Sequence, residues 1–112
     1  MSRDREWPET AAELMRSRFA AFRDGDADWL LATWHPDTRP HALDLDLDGG
    51  IVWRGLQIVD RVRGGVGDDV GIVEFRASYL SDGVHGVLHE RSRFARVDGK
   101  WVYVDGDVFD EG

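Results

Sequence analysis

Two Asp-Gly pairs, Asp82-Gly83 and Asp98-Gly99, constrain the fold of this chain more than any other feature of its sequence. Each pair lies between runs of alternating apolar and polar residues, and Asp-Gly in that setting favours the two-residue type I′ turn of a β-hairpin. We therefore predict a run of antiparallel strands that begins at Ile51 and fills the second half of the chain.

Two-residue turns also predict which side chains share a face of the sheet, because directly opposed residues point the same way. The first hairpin then pairs Phe75 with Glu90, and the second pairs Ser92 with Asp105. Both hairpins agree on one core-facing set: Val73, Phe75, Ala77, Tyr79, Leu88, Glu90, Ser92, Phe94, Trp101, Tyr103 and Asp105. The opposite face includes a strip of apolar residues: Ile72, Val87, Ala95, Val102 and Val104.

The first predicted helix begins with a capping box at Thr10 and Glu13, whose side chains each satisfy a backbone amide, and it runs to about Arg23. Arg18 lies within the apolar stripe of this helix. A guanidinium keeps its charge when it is buried, so an inward-facing Arg18 requires a fixed acidic partner or a bound anion. We therefore expect an interior that is polar in one place.

A second, shorter helix follows the first. Gly25 is the expected end of the first helix, and Asp26 is the expected N-cap of a helix over 27–35. Pro36 must end that second helix, because proline cannot continue a helical hydrogen-bond ladder. The stretch from Pro36 to Gly50 predicts irregular structure with a solvated turn.

Length and composition point to one α+β domain over 1–112, with N-terminal helices packed on a curved antiparallel sheet. The chain contains no cysteine, which excludes disulfides, thiolate catalysis and cysteine-ligated zinc. A formal charge of −8 disfavours nucleic-acid binding, because a phosphate backbone would be repelled. No apolar run is long enough for a membrane span or a signal peptide, so we expect no membrane partner and a cytoplasmic location.

Blocks of sequence at 10–19, at 25–40 and, late in the chain, at 88–94 and 101–106 resemble the YchJ-like family. The resemblance covers roughly Trp7 to Val108. It implies a fold like that of nuclear transport factor 2, in which a curved antiparallel sheet wraps over helices and leaves a conical pocket. Many members of that family also carry a cysteine-rich zinc-binding motif at one or both ends. This chain, without cysteine, lacks that motif.

Combining helix and sheet predicts a polar site on the concave face of the sheet. Arg18 projects from the helix toward Glu90, Ser92 and Asp105 on that face, and three further residues are candidates for the mouth of a pocket: His35, Tyr79 and Tyr103. Two interpretations remain open. Arg18 and Glu90 form a structural ion pair whose remaining hydrogen bonds are satisfied by neighbours, or a carboxylate with a perturbed pKa and the guanidinium serve a ligand.

Two motifs resemble metal sites and fall short of them. The acidic residues of 44–48 copy the first half of a calcium-binding loop, but the position that needs a bidentate Glu is Gly55. His85 and His89 have the spacing of a zinc pair on a helix, but on a strand they lie about 13 Å apart. We expect no metal ion and no cofactor.

Two functional classes follow from these residues. The first is a module that binds a small molecule or another protein. The second is a small proton-transfer enzyme, an isomerase or lyase, with Glu90 or Asp105 as general base and Arg18 or a tyrosine stabilising an oxyanion, by analogy of fold alone. A cavity of roughly several hundred cubic ångströms that is open to solvent, with a carboxylate not engaged by Arg18, favours catalysis, and a filled core with a closed ion pair opposes it.

The apolar strip on the outer face bears on oligomeric state. A monomer normally avoids a contiguous exposed apolar surface on a sheet that no second layer covers. We therefore expect a homodimer in which two sheets pair back to back across a two-fold axis.

Overall fold

The computed structural model describes residues 6–41 and 51–109. Two helices pack on one face of a four-stranded antiparallel sheet, which confirms the predicted α+β fold. The elements are α1 (Ala11–Asp24), α2 (Ala27–Ala32), β1 (Ile51–Arg63), β2 (Val70–Ser81), β3 (Val84–Val97) and β4 (Lys100–Phe109), with the strands in the order β1-β2-β3-β4. In this part of the chain, neither helix is long and apolar enough to cross a lipid bilayer.

Both Asp-Gly pairs form the expected turns. Asp82 and Asp98 have φ values of 51° and 52°, and each is followed by a glycine with φ of 81°, which is the type I′ arrangement. The predicted register of the first hairpin is confirmed, because Ser81 pairs with Val84 at the turn and the register continues without a shift along both strands.

The second hairpin departs from its predicted register. Phe94 pairs with Tyr103 as expected, but the next pair is Arg93 with Asp105, so Val104 is an extra residue in β4. Such a β-bulge turns every following side chain to the other face. The predicted pairing of Ser92 with Asp105 is therefore wrong, and the residue opposite Ser92 is a glycine.

Local capping sets the start of both helices. The Thr10 hydroxyl accepts a hydrogen bond from the Glu13 amide, and the Glu13 carboxylate accepts one from the Thr10 hydroxyl rather than from a backbone amide. Gly25 ends α1 with φ of 77°, a left-handed conformation that favours glycine. The Asp26 side chain accepts a hydrogen bond from the amide of Trp29 at the start of α2.

The second helix ends three residues before its predicted end at His35. After Ala32, the chain pairs with the edge of β4: the Tyr103 amide donates to the Thr33 carbonyl at 2.7 Å, and the His35 amide donates to the Tyr103 carbonyl at 2.8 Å. This parallel bridge competes with the helical hydrogen bonds, so α2 stops before Pro36 is reached.

The core lies between the helices and the concave face of the sheet. Its largest fully buried side chains come from both layers: Leu14, Leu30, Thr33, Val73, Ser92, Phe94 and Trp101. Arg18, which is only 3% exposed, lies among them on α1. The expected inward-facing arginine is therefore present.

The outer face of the sheet does not carry the predicted contiguous apolar strip. Val102 is buried, and charged residues occupy the centre of the face between Ile72 and Val87. There the Glu74 carboxylate accepts hydrogen bonds from Arg91 at 2.8 Å and from the His89 ring at 2.7 Å. The apolar side chains are thus separated by an ion-pair network.

Candidate functional site

A cavity of about 160 Å³ lies between α1 and the concave face of the sheet. Four polar residues line it: Arg18, Glu90, Ser92 and Tyr103. Its other walls are apolar and rich in aromatic rings: Met15, Phe19, Phe22, Trp34, Trp53, Phe75, Ala77 and Leu88. Phe19, Phe22 and Trp53 are partly exposed, so these side chains mark where the cavity approaches the surface.

Neutral acceptors and aromatic rings hold the Arg18 guanidinium. Its Nη1 donates to the Leu30 carbonyl at 2.9 Å and to the Thr33 hydroxyl at 2.7 Å. Its central carbon lies 5.1 Å from the ring centre of Trp34 and 4.7 Å from that of Tyr103, within the range of cation–π attraction. Burial lowers the pKa of Arg18 from 12.5 to about 10, so the side chain is still cationic at neutral pH.

The Glu90 carboxylate is held by hydroxyl groups and not by the guanidinium. Its Oε2 accepts hydrogen bonds from Ser92 at 2.7 Å and from the Tyr103 hydroxyl at 3.1 Å. Glu90 and Arg18 therefore do not form the direct ion pair of the first interpretation. The two charges still interact at longer range, and Tyr103 contacts both groups, the guanidinium with its ring and the carboxylate with its hydroxyl.

Gly106 makes room for this carboxylate. The β4 bulge places Gly106 directly opposite Ser92, and a Cβ at position 106 would overlap Glu90 Oε2. Any larger residue there would displace the Glu90 side chain. Sequence reasoning missed this position, although a glycine inside a strand often marks a bulge or a close approach.

Three of the predicted site residues lie away from the cavity. Asp105 is on the outer face, where its carboxylate accepts a hydrogen bond from Arg93. Tyr79 faces the helices and packs its ring 5.3 Å from that of Trp53, but it borders a separate, wider concavity. His35 bonds to its own loop, since its Nδ1 accepts from the Asp37 amide at 3.0 Å.

Trp34 also lines the cavity. Its ring lies edge-on to Tyr103 at 5.3 Å, and the parallel bridge to β4 fixes its position. The indole Nε1–H is buried and has no acceptor among residues 6–41 and 51–109. A buried donor without a partner is costly, and the fold carries that cost at Trp34.

Residues 10–106 match the family described as YchJ, middle NTF2-like domain. The chain belongs to this YchJ family. A UPF0225 protein from Streptomyces coelicolor is 56% identical over 101 residues, which cover 90% of this chain and 77% of the relative. A UPF0225 protein from Chromobacterium violaceum is 51% identical over 100 residues, which cover 88% of this chain and 74% of the relative.

Two solved structures share the fold of this YchJ-family domain, and both are described as SEC-C motif-containing proteins. The solution structure from Rhodopseudomonas palustris has a TM-score of 0.76 at 29% identity, and the match covers 91% of this chain and 80% of that protein's chain. The crystal structure from Psychrobacter arcticus has a TM-score of 0.74 at 23% identity, and the match covers 97% of this chain and 66% of that protein's chain. The resemblance to the YchJ family and the nuclear transport factor 2-like fold are thereby confirmed.

Metal-ligating side chains do not cluster in the described part of this YchJ-family domain. Across residues 6–41 and 51–109, no group of three or more His, Asp or Glu side chains could hold a metal ion. The acidic segment 44–48, which resembles half of a calcium loop, lies outside the described residues.

The electrostatics of the cavity keep the Tyr103 hydroxyl protonated. Burial raises the pKa of Tyr103 well above its ordinary value, and the adjacent Glu90 carboxylate raises it further. The phenol can therefore donate to Glu90 at any pH in the physiological range. The cavity of this YchJ-family domain can thus offer a carboxylate acceptor, with its donors already arranged around it, to a small bound molecule.

Proposed function

We propose that this YchJ-family domain binds a small, largely apolar molecule in the cavity between α1 and the sheet. The observation that carries the proposal is an aromatic-lined cavity that contains a carboxylate which no cationic side chain of the described residues contacts directly. Small-molecule sites in proteins have this composition, with mostly apolar walls and a few placed polar groups.

The size of the cavity limits the ligand. A cavity of about 150 Å³ in a protein core accommodates a molecule such as benzene, and the present cavity of about 160 Å³ is similar. The expected ligand, or the part of it that enters, is therefore about one ring in size.

Nuclear magnetic resonance titration with benzene tests the proposal. We expect saturable shifts of the backbone amides of Phe75, Ala77 and Leu88, which lie in the cavity wall. The variant Ala77→Leu fills the cavity and should abolish those shifts. Ala32→Leu, at an exposed alanine of α2, makes the same chemical change outside the cavity and should preserve them.

Shifts that persist in Ala77→Leu, or that appear elsewhere in the wild-type protein, would contradict binding in the cavity. The fold of each variant is checked by circular dichroism, so that loss of binding is not confused with loss of structure.

Proton-transfer catalysis is a second candidate, because Arg18 does not engage Glu90 directly. The cavity of about 160 Å³ is smaller than the one expected for catalysis, so only one of the two conditions supports this candidate. Glu90 would act as general base on a carbon acid bound in the cavity. Asp105 is not a candidate base, because its carboxylate lies on the outer face beside Arg93. A test is the exchange of the α-protons of cyclohexanone in D₂O. If the domain catalyses exchange, the wild-type rate exceeds the rate in buffer alone, and Glu90→Gln abolishes that increase. Equal exchange rates with the wild-type protein and with Glu90→Gln would exclude catalysis by Glu90.

A further inference from the structure

The Glu90 carboxylate has one oxygen that the protein leaves available. Ser92 and the Tyr103 hydroxyl both donate to Oε2, whereas Oε1 receives no hydrogen bond from any residue that the structure describes. Gly106 is required for this arrangement, since a side chain there would displace the carboxylate. The fold therefore fixes the orientation of Glu90 and leaves an acceptor for an incoming donor.

The charges of the cavity lining add up to zero. Arg18 and Glu90 are its only charged residues, and the other lining residues are a serine, a tyrosine and apolar side chains. An ammonium ligand would bring a second cation close to Arg18, and a carboxylate ligand would bring a second anion close to Glu90. Both ions would also lose their hydration among apolar walls. A neutral ligand carries neither cost.

The free oxygen of Glu90 calls for a donor that is small and neutral. A hydroxyl group meets both conditions, because it carries no charge and donates one hydrogen bond, which Glu90 Oε1 can accept.

We propose that the cavity selects a neutral molecule of about one ring that carries a hydroxyl group, with Glu90 Oε1 as the acceptor of its proton. This inference rests on the proposed binding function and adds the chemical class of the ligand to it. Glu90 is thereby the specificity-determining residue, and Gly106 is a positioning residue that acts through it.

Four probes of matched shape test this selection: benzyl alcohol, toluene, benzylammonium and benzoate. We expect benzyl alcohol to bind at least about tenfold more tightly than toluene, as one hydrogen bond to a charged group would give. The two ions should bind more weakly than the alcohol. Dissociation constants are measured by the same titration of backbone amide shifts.

Two variants assign the preference to Glu90. Glu90→Gln keeps the shape of the side chain and should lower the alcohol-to-toluene ratio toward one. Gly106→Ala should have the same effect by displacing the carboxylate. Gly67→Ala, at a loop position where an added Cβ meets nothing within 4 Å, is the matched control.

The outcomes separate this inference from the function on which it rests. If toluene binds as tightly as benzyl alcohol, or if an ion binds most tightly, the ligand class is overturned and the binding function stands. If the ratio is unchanged in Glu90→Gln, the role of Glu90 is overturned. If none of the four probes and no benzene binds at millimolar concentration, the binding function and the ligand class both fail.

Discussion

Arg18 is a buried cation that no carboxylate of residues 6–41 and 51–109 contacts directly, and its surroundings explain how the fold tolerates it. The Leu30 carbonyl and the Thr33 hydroxyl accept its hydrogen bonds, and the rings of Trp34 and Tyr103 present their electron-rich faces. These contacts join α1 to the end of α2 and to β4. One side chain therefore links three elements around the cavity.

Replacing Arg18 by methionine should destabilise the protein by about 3 kcal/mol, because two charge-assisted hydrogen bonds are lost and Glu90 loses the nearby compensating charge. Urea unfolding followed by circular dichroism measures the change. Arg16→Met, at an exposed arginine on the same helix, should change the free energy of unfolding by less than about 0.5 kcal/mol. Equal effects of the two substitutions would contradict the structural role of Arg18.

Glu74 gives the outer face a dependence on pH. Hydrogen bonds from His89 and Arg91 lower the pKa of its carboxyl below the ordinary value of 4.5. The stabilisation of the fold by these hydrogen bonds is therefore present above about pH 4.5 and is lost as the pH falls through the lowered pKa of Glu74. The difference in unfolding free energy between the wild type and Glu74→Gln should shrink between about pH 7 and about pH 3. A difference that stays constant over this range would contradict the assignment.

Among the secondary-structure elements, the features that depend on neighbouring residues alone were predicted correctly from the sequence. The Asp-Gly turns need only left-handed conformations at Asp82 and Asp98, and they established the hairpins and the inward direction of Glu90. The early end of α2 follows from the contact between residues 33–35 and Tyr103, which lies far away in the sequence. The bulge at Val104 belongs to the pairing of β4 with β3, and a two-residue turn does not reveal an extra residue within a strand. Asp105 was therefore predicted on the wrong face of the sheet.

The start of α1 is docked against the turn between β1 and β2. The Ala11 amide donates to the Gly64 carbonyl at 2.9 Å, and a Cβ at Gly71 would lie too close to the Gly64 backbone. Gly71→Ala should therefore destabilise the protein by about 1–3 kcal/mol, as overpacking usually does. Thermal unfolding measures this, with Gly67→Ala as the matched substitution in open space. A Gly71→Ala protein as stable to heat as the wild type would show that α1 and this turn are not tightly packed.

The outer face bears on the assembly of the whole molecule. Its charged centre is surrounded by exposed apolar side chains: Val52, Val62, Val70, Val87 and Phe109. The back-to-back homodimer stays a prediction, in which these side chains are covered by a second copy. The cytoplasmic location and the absence of nucleic-acid and membrane partners also stay predictions.

Sedimentation velocity tests the dimer at about 10 µM. A specific homodimer is expected to persist at this protein concentration. Val87→Asp should convert the dimer to a monomer, because an unpaired carboxylate would be buried between the sheets. Val66→Asp, in the exposed loop between β1 and β2, is the matched control and should leave the sedimentation coefficient unchanged. A wild-type monomer at this concentration would rule the dimer out.

The bridge from residues 33–35 to Tyr103 has a consequence for fibril formation. An unpaired edge strand can recruit strands from other chains, and the bridge occupies part of that edge on β4. The Thr38 hydroxyl covers more of it by donating to the Val104 carbonyl. On the opposite margin, β1 is interrupted by two register shifts, at Trp53/Gly55 and at Ile58/Asp60, which twist a strand away from flat stacking. Detachment of residues 33–35 would therefore leave more of the β4 edge open to pairing with a strand of another chain.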